Sequence, residues 1–521
     1  MNHLKKTVST AILLFCISHF ILAQTMFTKL TGYTGSFSYS CGTHTSDGGF
    51  VTTSRGIYSG TSGTFIIKTN AVGDTLWSKR IISDTLFPSE ILETNNGVSI
   101  AGTAISGGLF DFFLLKTDLN GNLLWAKTYG GNSSDHVVTL IKTMDGGFLI
   151  AGGTESFGAG MLDIYIVKTD SNGTLLWTKT MGGANPEDCR SVLQTLDSGY
   201  VFGCTRYVAS GVHNYLIRTN SLGDTLWTKS YYDLNGNAFD IHTVLNGSNN
   251  GYVLIGRAWG GSSHLQILKT DSLGKIVWYK TYGKFNGSIH YSIGQQTTDG
   301  CYICVSATTN YNSLRTVNLL IKFDTLGYVL GIKTISADTT RNNIPKSIQQ
   351  TPDGGFYITG EALLISDLSD TYIIKTDSSG SSGCNDIIQN GIDTIAYNYI
   401  DFQLLSITVS SGGTESPMSA SIVSSNLNYF TACGNVPTNN SGIMEAVSLN
   451  VSPNPFKNEL LLYNTISNGE ISLTDISGKE LLRQKTSKGN TQIITEHLSS
   501  GLYILHYLEK DKIVNMKVMK D

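Results

Sequence analysis

Proline and charge are both scarce in this chain. Of 521 residues only 8 are proline, and charged residues make up 15 %, against about 25 % in an average soluble protein. So little charge excludes a coiled coil and an acidic disordered chain. Neither sign dominates, with 36 basic and 40 acidic residues, which leaves no counterion-release drive toward nucleic acid. Long apolar runs are missing too: beyond residue 24 no segment approaches 18 apolar residues, so no transmembrane helix is predicted. Catalytic signatures are equally absent, with no G-x-S-x-G, H-E-x-x-H, Walker loop or dinucleotide fingerprint. Glycine is what the chain has in excess, 56 residues where the usual proportion of about 7 % gives about 36. Together with 25 tyrosines and 20 phenylalanines, this predicts an all-β chain rich in tight turns.

The first 24 residues read as a signal peptide. Lys5 and Lys6 form a positive start, Ala11 to Leu22 are mostly apolar, and Ala23-Gln24 offers a cleavage point. Phe15 before Cys16 is too large for a lipid-attachment site. Seven cysteines remain in the exported chain, an odd number that excludes complete pairing in a monomer. Cys301 and Cys304 lie in a strand-like stretch, where side chains three apart face opposite ways, so neither zinc nor redox chemistry is expected of them. Cys384 and Cys433 bracket a Ser/Thr-rich segment and form a candidate disulfide in an oxidising compartment. Cys189 and Cys204 stand opposite each other across a hairpin, a second place where sulfurs could meet.

Internal repetition organises most of the chain. The signature K-T-D-x-x-G-x-x-x-W-x-K occurs at Lys116, Lys168 and Lys269, with Asn in place of Asp at Lys68 and Arg218, and in degenerate form at Lys322 and Lys375. These seven starts are spaced by 48 to 53 residues. A second signature, D-G-G-F, keeps phase with it at Asp47, Asp145 and Asp353, and diverged copies begin at Asn95, Asp197, Asn249 and Asp299. Five of the six tryptophans therefore share one repeat position. Each unit holds four short β runs separated by Gly/Asn turns, the sequence form of a β-propeller blade. Seven units predict a seven-bladed propeller over residues 25–377. Residues 25–32 match the tryptophan-bearing strand, with Phe27 in the Trp position, and the seventh unit lacks that strand. The N-terminal strand should therefore complete the last blade.

The K-T-D-x-x-G-x-x-x-W stretch resembles the tryptophan-docking repeat of quinoprotein-type propellers, one residue shorter between Asp and Gly. The resemblance implies that Trp packs between blades, Asp caps the turn and Gly supplies the bend. It does not extend to the quinone cofactor, because eight blades and a vicinal cysteine pair are lacking; no cofactor is expected. The same turns depart from the Asp-box of sialidases in both spacings. D-x-N-G at Asp118 and Asp170 begins like a calcium loop but lacks the carboxylate at position 12, so no metal site is expected.

Residues 378–446 read as a Ser/Gly/Asn-rich connector. Residues 447–521 read as a small β-sandwich, with strands separated by S-G-K, S-S-G and E-K-D-K turns. Pro453-Asn454-Pro455-Phe456, Asp475 with Gly478 and Lys479, Leu498 to Leu505, and Lys517 to Lys520 occur there in order. This closely resembles the type A C-terminal sorting domain of type IX secretion cargo. It implies contact with that secretion machinery, passage across a Gram-negative outer membrane, removal of the domain, and release or cell-surface attachment.

One constellation could carry binding. Nine residues before each D-G-G anchor stand Ser38, Leu86, His136, Asp188, Asp240, His290 and Ile344, and two residues further on lie Arg190, His242 and Lys346. Four consecutive units thus place His, Asp, Asp and His where the innermost strand begins. Two readings fit them: a solvated rim bonding neighbouring turns, or a glycan- or protein-binding site at the channel mouth. The chain is accordingly read as an exported binding or adhesion module, with an unrecognised hydrolytic propeller as the alternative.

Overall fold

Turns recur in pairs, and in five of the repeats a cation ties the two together. In the third repeat Gly146 and Gly173 adopt left-handed backbones, with φ of 81° and 73°, which glycine accepts without steric cost. Asp145 Oδ1 takes the Gly147 amide at 3.0 Å, and Asp170 Oδ1 takes the Asn172 and Thr174 amides, each at 2.8 Å. Lys168 then reaches back to Asp145 at 2.8 Å. Lys68 with Asp47, Lys375 with Asp353 and Arg218 with Asp197 repeat this bond, which is why the two signatures keep phase.

The structure, a computed structural model, describes residues 26–521 except 32–35, 59–60, 84, 209–210, 234–237, 261, 284–287, 311–314, 364–368, 384, 389–392, 396–399, 404–407, 426, 428, 435–449, 453–455, 466–468, 476–478, 487–488 and 510–511. The signal peptide and Cys384, and with it the Cys384–Cys433 pairing, lie outside the described residues. The chain divides into two compact units, Met1–Val436 and Pro437–Asp521.

The first unit is all-β apart from a 3-10 turn at Ser248–Asn250. Its strands form seven antiparallel sheets, each of five strands. The third sheet is typical: Asp135–Lys142, Phe148–Thr154, Asp163–Thr169 and Leu175–Gly182 in chain order, then Thr408–Ser410. In the seventh sheet the fourth place is taken by Phe27–Leu30, paired with Tyr372 to Lys375. The first strand of every sheet packs against the first strand of the next, and that of the seventh against that of the first, so the contacts form a closed cycle.

Side-chain seating repeats with the sheets. The rings of Trp77, Trp125, Trp177, Trp227 and Trp278 lie over the turn glycines Gly121, Gly173, Gly223, Gly274 and Gly327 of the following repeat. Phe27 covers Gly73 in the same way, and Leu320 covers Gly380 where Gly331 has replaced tryptophan.

The expectation of four-stranded sheets and a plain connector is corrected. Residues 387–434 carry seven short strands, and each adds to the outer edge of one sheet. They run backwards around the cycle: Ile387–Ile388 on the sixth sheet, Asp393–Ile395 on the fifth, Ile400–Gln403 on the fourth, and onward to Phe430–Gly434 on the seventh. A strand joining an existing edge is held by main-chain hydrogen bonds and needs no apolar face of its own. Segments such as Thr408–Ser410 are exposed throughout, so their composition reads as linker.

In the second unit two sheets share one core, formed by Phe456, Leu462, Ile471, Ile493, Leu505 and Val518 among others. Phe456 is clamped to the chain end, its amide donating to Met519 O at 2.8 Å and its carbonyl accepting the Asp521 amide at 2.9 Å.

Candidate functional site

The start of each innermost strand is fixed by groups buried between sheets. In the fourth sheet Glu187 takes the Gly183 amide at 3.1 Å and pairs with Arg206 at 3.1 Å. Asp163 takes the Ala159 and Gly160 amides, each at 2.9 Å. Both carboxylates press on Gly182, where a Cβ would lie 1.7 Å from Asp163 Oδ1 and 3.0 Å from Glu187 Oε2; only glycine fits there. Because neighbouring side chains on a strand face opposite ways, burying Asp135 and Glu187 turns His136 and Asp188 to the other face.

A β-bulge then re-aims the chain. The register shifts between Cys189 and Ser191, between Ile241 and Thr243, and between Pro345 and Ser347, leaving Arg190, His242 and Lys346 outside the ladder. Side chains two residues apart pair here. Arg190 lies 3.5 Å from Asp188 and His242 lies 3.3 Å from Asp240. Lys346 faces Glu361 at 3.7 Å.

Two linked groups result. In one, His136 of the third sheet meets the buried Asp188 of the fourth at 3.5 Å, while Arg190 donates to the Tyr207 hydroxyl at 2.9 Å. In the other, Asp240 receives His242 and Arg257, the latter at 3.3 Å, and the His242 Nδ1 accepts the Ser292 amide of the next sheet at 3.1 Å. His290 stands apart by its side chain, which pairs with the Thr309 hydroxyl at 2.7 Å; its carbonyl accepts Arg257 Nη1 at 2.6 Å. Leu86 is buried and makes no polar contribution from its side chain.

Electrostatics joins the two groups. The hydrogen bond to Asp188 raises the His136 pKa above its ordinary value. Burial alone would raise the Asp240 carboxyl, but His242, Arg190 and Arg257 outweigh it and hold the group low. Burial lowers His242, and burial with Arg257 lowers His290. Tyr291 of the sixth sheet is pushed up to about 12, chiefly by burial, and feels the charges of Glu90, Arg190 and Asp240. Arg190 of the first group thus acts on Asp240 of the second.

Arg257 and Glu90 were not among the sequence candidates. Arg257 stands eight residues after the anchor Asn249, opposite Asp240 in the ladder, and Arg55 holds the same place after Asp47, opposite Ser38. Reading the second strand in the same repeat register would have found both. Among the described residues no three His, Cys, Asp or Glu side chains converge as a metal ion requires.

The predicted pairing partners Cys189 and Cys204 are directly opposite in the ladder and both buried, yet both are free thiols. Cys301 and Cys304 are free as well.

Comparison with known proteins bears on the second unit. Residues 450–521 match the family described as Secretion system C-terminal sorting domain. This tail directs the chain, as cargo of type IX secretion machinery, to the cell surface or extracellular space of a Gram-negative bacterium. No curated protein matches the chain. Similar solved structures include a hypothetical protein from Leishmania major, at 13 % identity and TM-score 0.29, covering 47 % of this chain and 87 % of that one. PorZ, a surface component of the type IX secretion system of Porphyromonas gingivalis, is 10 % identical with TM-score 0.26, covering 91 % and 69 %. A mannose phosphorylase from Leishmania mexicana is 10 % identical with TM-score 0.25, covering 67 % and 86 %.

Proposed function

We propose that the seven sheets are the blades of a β-propeller closed by Phe27–Leu30, and that this propeller is a non-catalytic binding or adhesion module delivered by its tail. The tail is of type A in this reading and is removed on delivery, as the signal peptide is on export. The ligand seats at the mouth formed by His136, Asp188, Arg190, Asp240, His242 and His290. One observation carries the proposal: at a repeat position that holds Ser, Leu and Ile in the other units, four consecutive units hold His, Asp, Asp and His, and His136 reaches Asp188 of the next sheet. A purely structural repeat has no need of such a local asymmetry. The cyclic contacts and the seating of each ring on the next turn glycine support the propeller reading.

The test has two arms. Deleting residues 447–521 should leave the first unit folded but held in the periplasm; normal surface delivery of the shortened chain would contradict the assignment. Probing glycan and protein arrays with the full exported chain should give a ligand whose binding is lost in the double variant Asp188→Ala, Asp240→Ala. A hydrolase screen that finds turnover, abolished by the same variant, would overturn the non-catalytic reading.

A further inference from the structure

The same strand ends carry an aromatic cluster on the first two sheets, across the cycle from the polar groups. Tyr39 and Phe87 each follow the residue that occupies, in its own repeat, the position of His136 and Asp188. Tyr39 meets Phe87 edge-on, with centroids 4.9 Å apart at 68°, and Phe87 lies 6.4 Å from Phe110. The Arg55 guanidinium sits 4.7 Å above the Phe87 ring and donates to the Leu86 carbonyl at 3.3 Å, as Arg257 does to His290. Tyr39 is 51 % exposed and Phe110 37 %. Tyr39 also holds a left-handed backbone, φ 54°, inside the bulge between Ser38 and Cys41. Such a conformation is disfavoured for a bulky side chain and persists only where the surroundings impose it. Of six aromatic residues exposed among those described, two belong to this cluster, Tyr39 and Phe110.

We propose that Tyr39, Phe87 and Phe110 form a stacking shelf for a pyranose ring and that the mouth ligand is a neutral oligosaccharide; this rests on the mouth being a binding site. A pyranose presents C–H bonds on its faces and hydroxyls at its edge. The faces pack on aromatic rings, and the hydroxyls need both donors and acceptors at the edge. The imidazoles, carboxylates and guanidiniums of the third to sixth sheets supply those. Charge argues for neutrality. Arg190 faces Asp188, Arg257 faces Asp240 and Lys346 faces Glu361, and of these cations only Arg55, on the Phe87 ring, faces no carboxylate, a single charge that does not match a polyacidic sugar or a highly charged peptide.

The test uses the full exported chain and calorimetric titration with cellohexaose, maltohexaose, mannohexaose and xylohexaose, beside hexagalacturonate and an aromatic-rich peptide as competitors. At least one neutral hexasaccharide should bind. Tyr39→Asn, which suits a left-handed backbone, and Phe110→Ala should each weaken it tenfold or more, and Tyr39→Phe should preserve it. Binding of none of the neutral sugars, or tighter binding of the acidic sugar or the peptide, overturns the proposal. If a neutral sugar binds, is lost in Asp188→Asn and is untouched by Tyr39→Asn and Phe110→Ala, the shelf falls while the mouth stands. If no variant of either set changes it, both fall.

Discussion

Replacing Phe27 by alanine tests how the cycle of sheets is closed. The Phe27 side chain is 3 % exposed, meets Phe50 edge-on at 5.9 Å, and has ring carbons 2.6 and 2.7 Å from where a Cβ on Gly73 would sit. It thus stands where tryptophan stands in five other repeats, at the seam between the seventh sheet and the first. Truncating a buried phenylalanine to alanine costs about 3–5 kcal/mol. Residues 25–436 of the first unit number about 400, and at about 2.1 cal/mol/K per residue their unfolding entropy is about 0.85 kcal/mol/K. The melting temperature should therefore fall by about 4–6 °C. Leu76→Ala, at a side chain 57 % exposed, is the control and should stay within about 0.5 kcal/mol of the parent. Calorimetry on the exported chain reads both. A Phe27→Ala variant melting within a degree of the parent would refute the reasoning, because a ring so enclosed cannot be removed without cost if the strand closes the cycle.

Other consequences follow from the same contacts. His136 should titrate above the ordinary histidine value of about 6.5 and His290 below it; Asp188→Asn should bring His136 down, which NMR of the imidazole resonances would show. Since His136 is raised by a partner gained on folding, its contribution to stability is complete below about 6.5 and disappears as pH rises through the folded value. Val423→Pro should unzip Ala420–Ser424 from the first sheet, where Val423 opposes Arg80 two residues before Ser425, whose amide donates to Ser78 O; alternate residues donate to an antiparallel ladder, and proline cannot. Limited proteolysis should then cut within 414–434 and leave the remaining sheets as one resistant fragment; an unchanged digest would mean that the strand is not seated. Cys189 and Cys204 are both buried and burial raises the Cys204 thiol well above its ordinary value, so both should resist alkylation in the folded chain and react after unfolding, and a disulfide in non-reducing peptide maps would contradict the free thiols.

Much of the first unit was legible because its signals are side-chain signals repeated in phase. Asp145, Lys168 and Trp177 each do a job that only a few residue types can do, and each recurs in most of the repeats, the tryptophan in five. The encircling strands were not legible for the opposite reason. Thr408–Ser410 and Asp393–Ile395 are held by backbone groups against edges built elsewhere, so neither periodicity nor apolar content marks them. The mouth lies between these cases. His136, Asp188, Asp240 and His290 could be found by aligning repeats, because the alignment brings four titratable residues to one position. The bulges that leave Arg190 and His242 outside the ladder have no sequence signature. Arg257 and Arg55 were missed because the register was followed along one strand and not across to its partner, and Tyr39 because a left-handed tyrosine has no sequence signature.

The claim that the ligand seats at this mouth is tested most directly by following the imidazole resonances of His136 and His290 while the array-identified ligand is titrated into the full exported chain. The account predicts that both shift with the same dissociation constant as the bulk binding isotherm, because they flank the site on the third and sixth sheets. Saturable binding that leaves both resonances in place would contradict it.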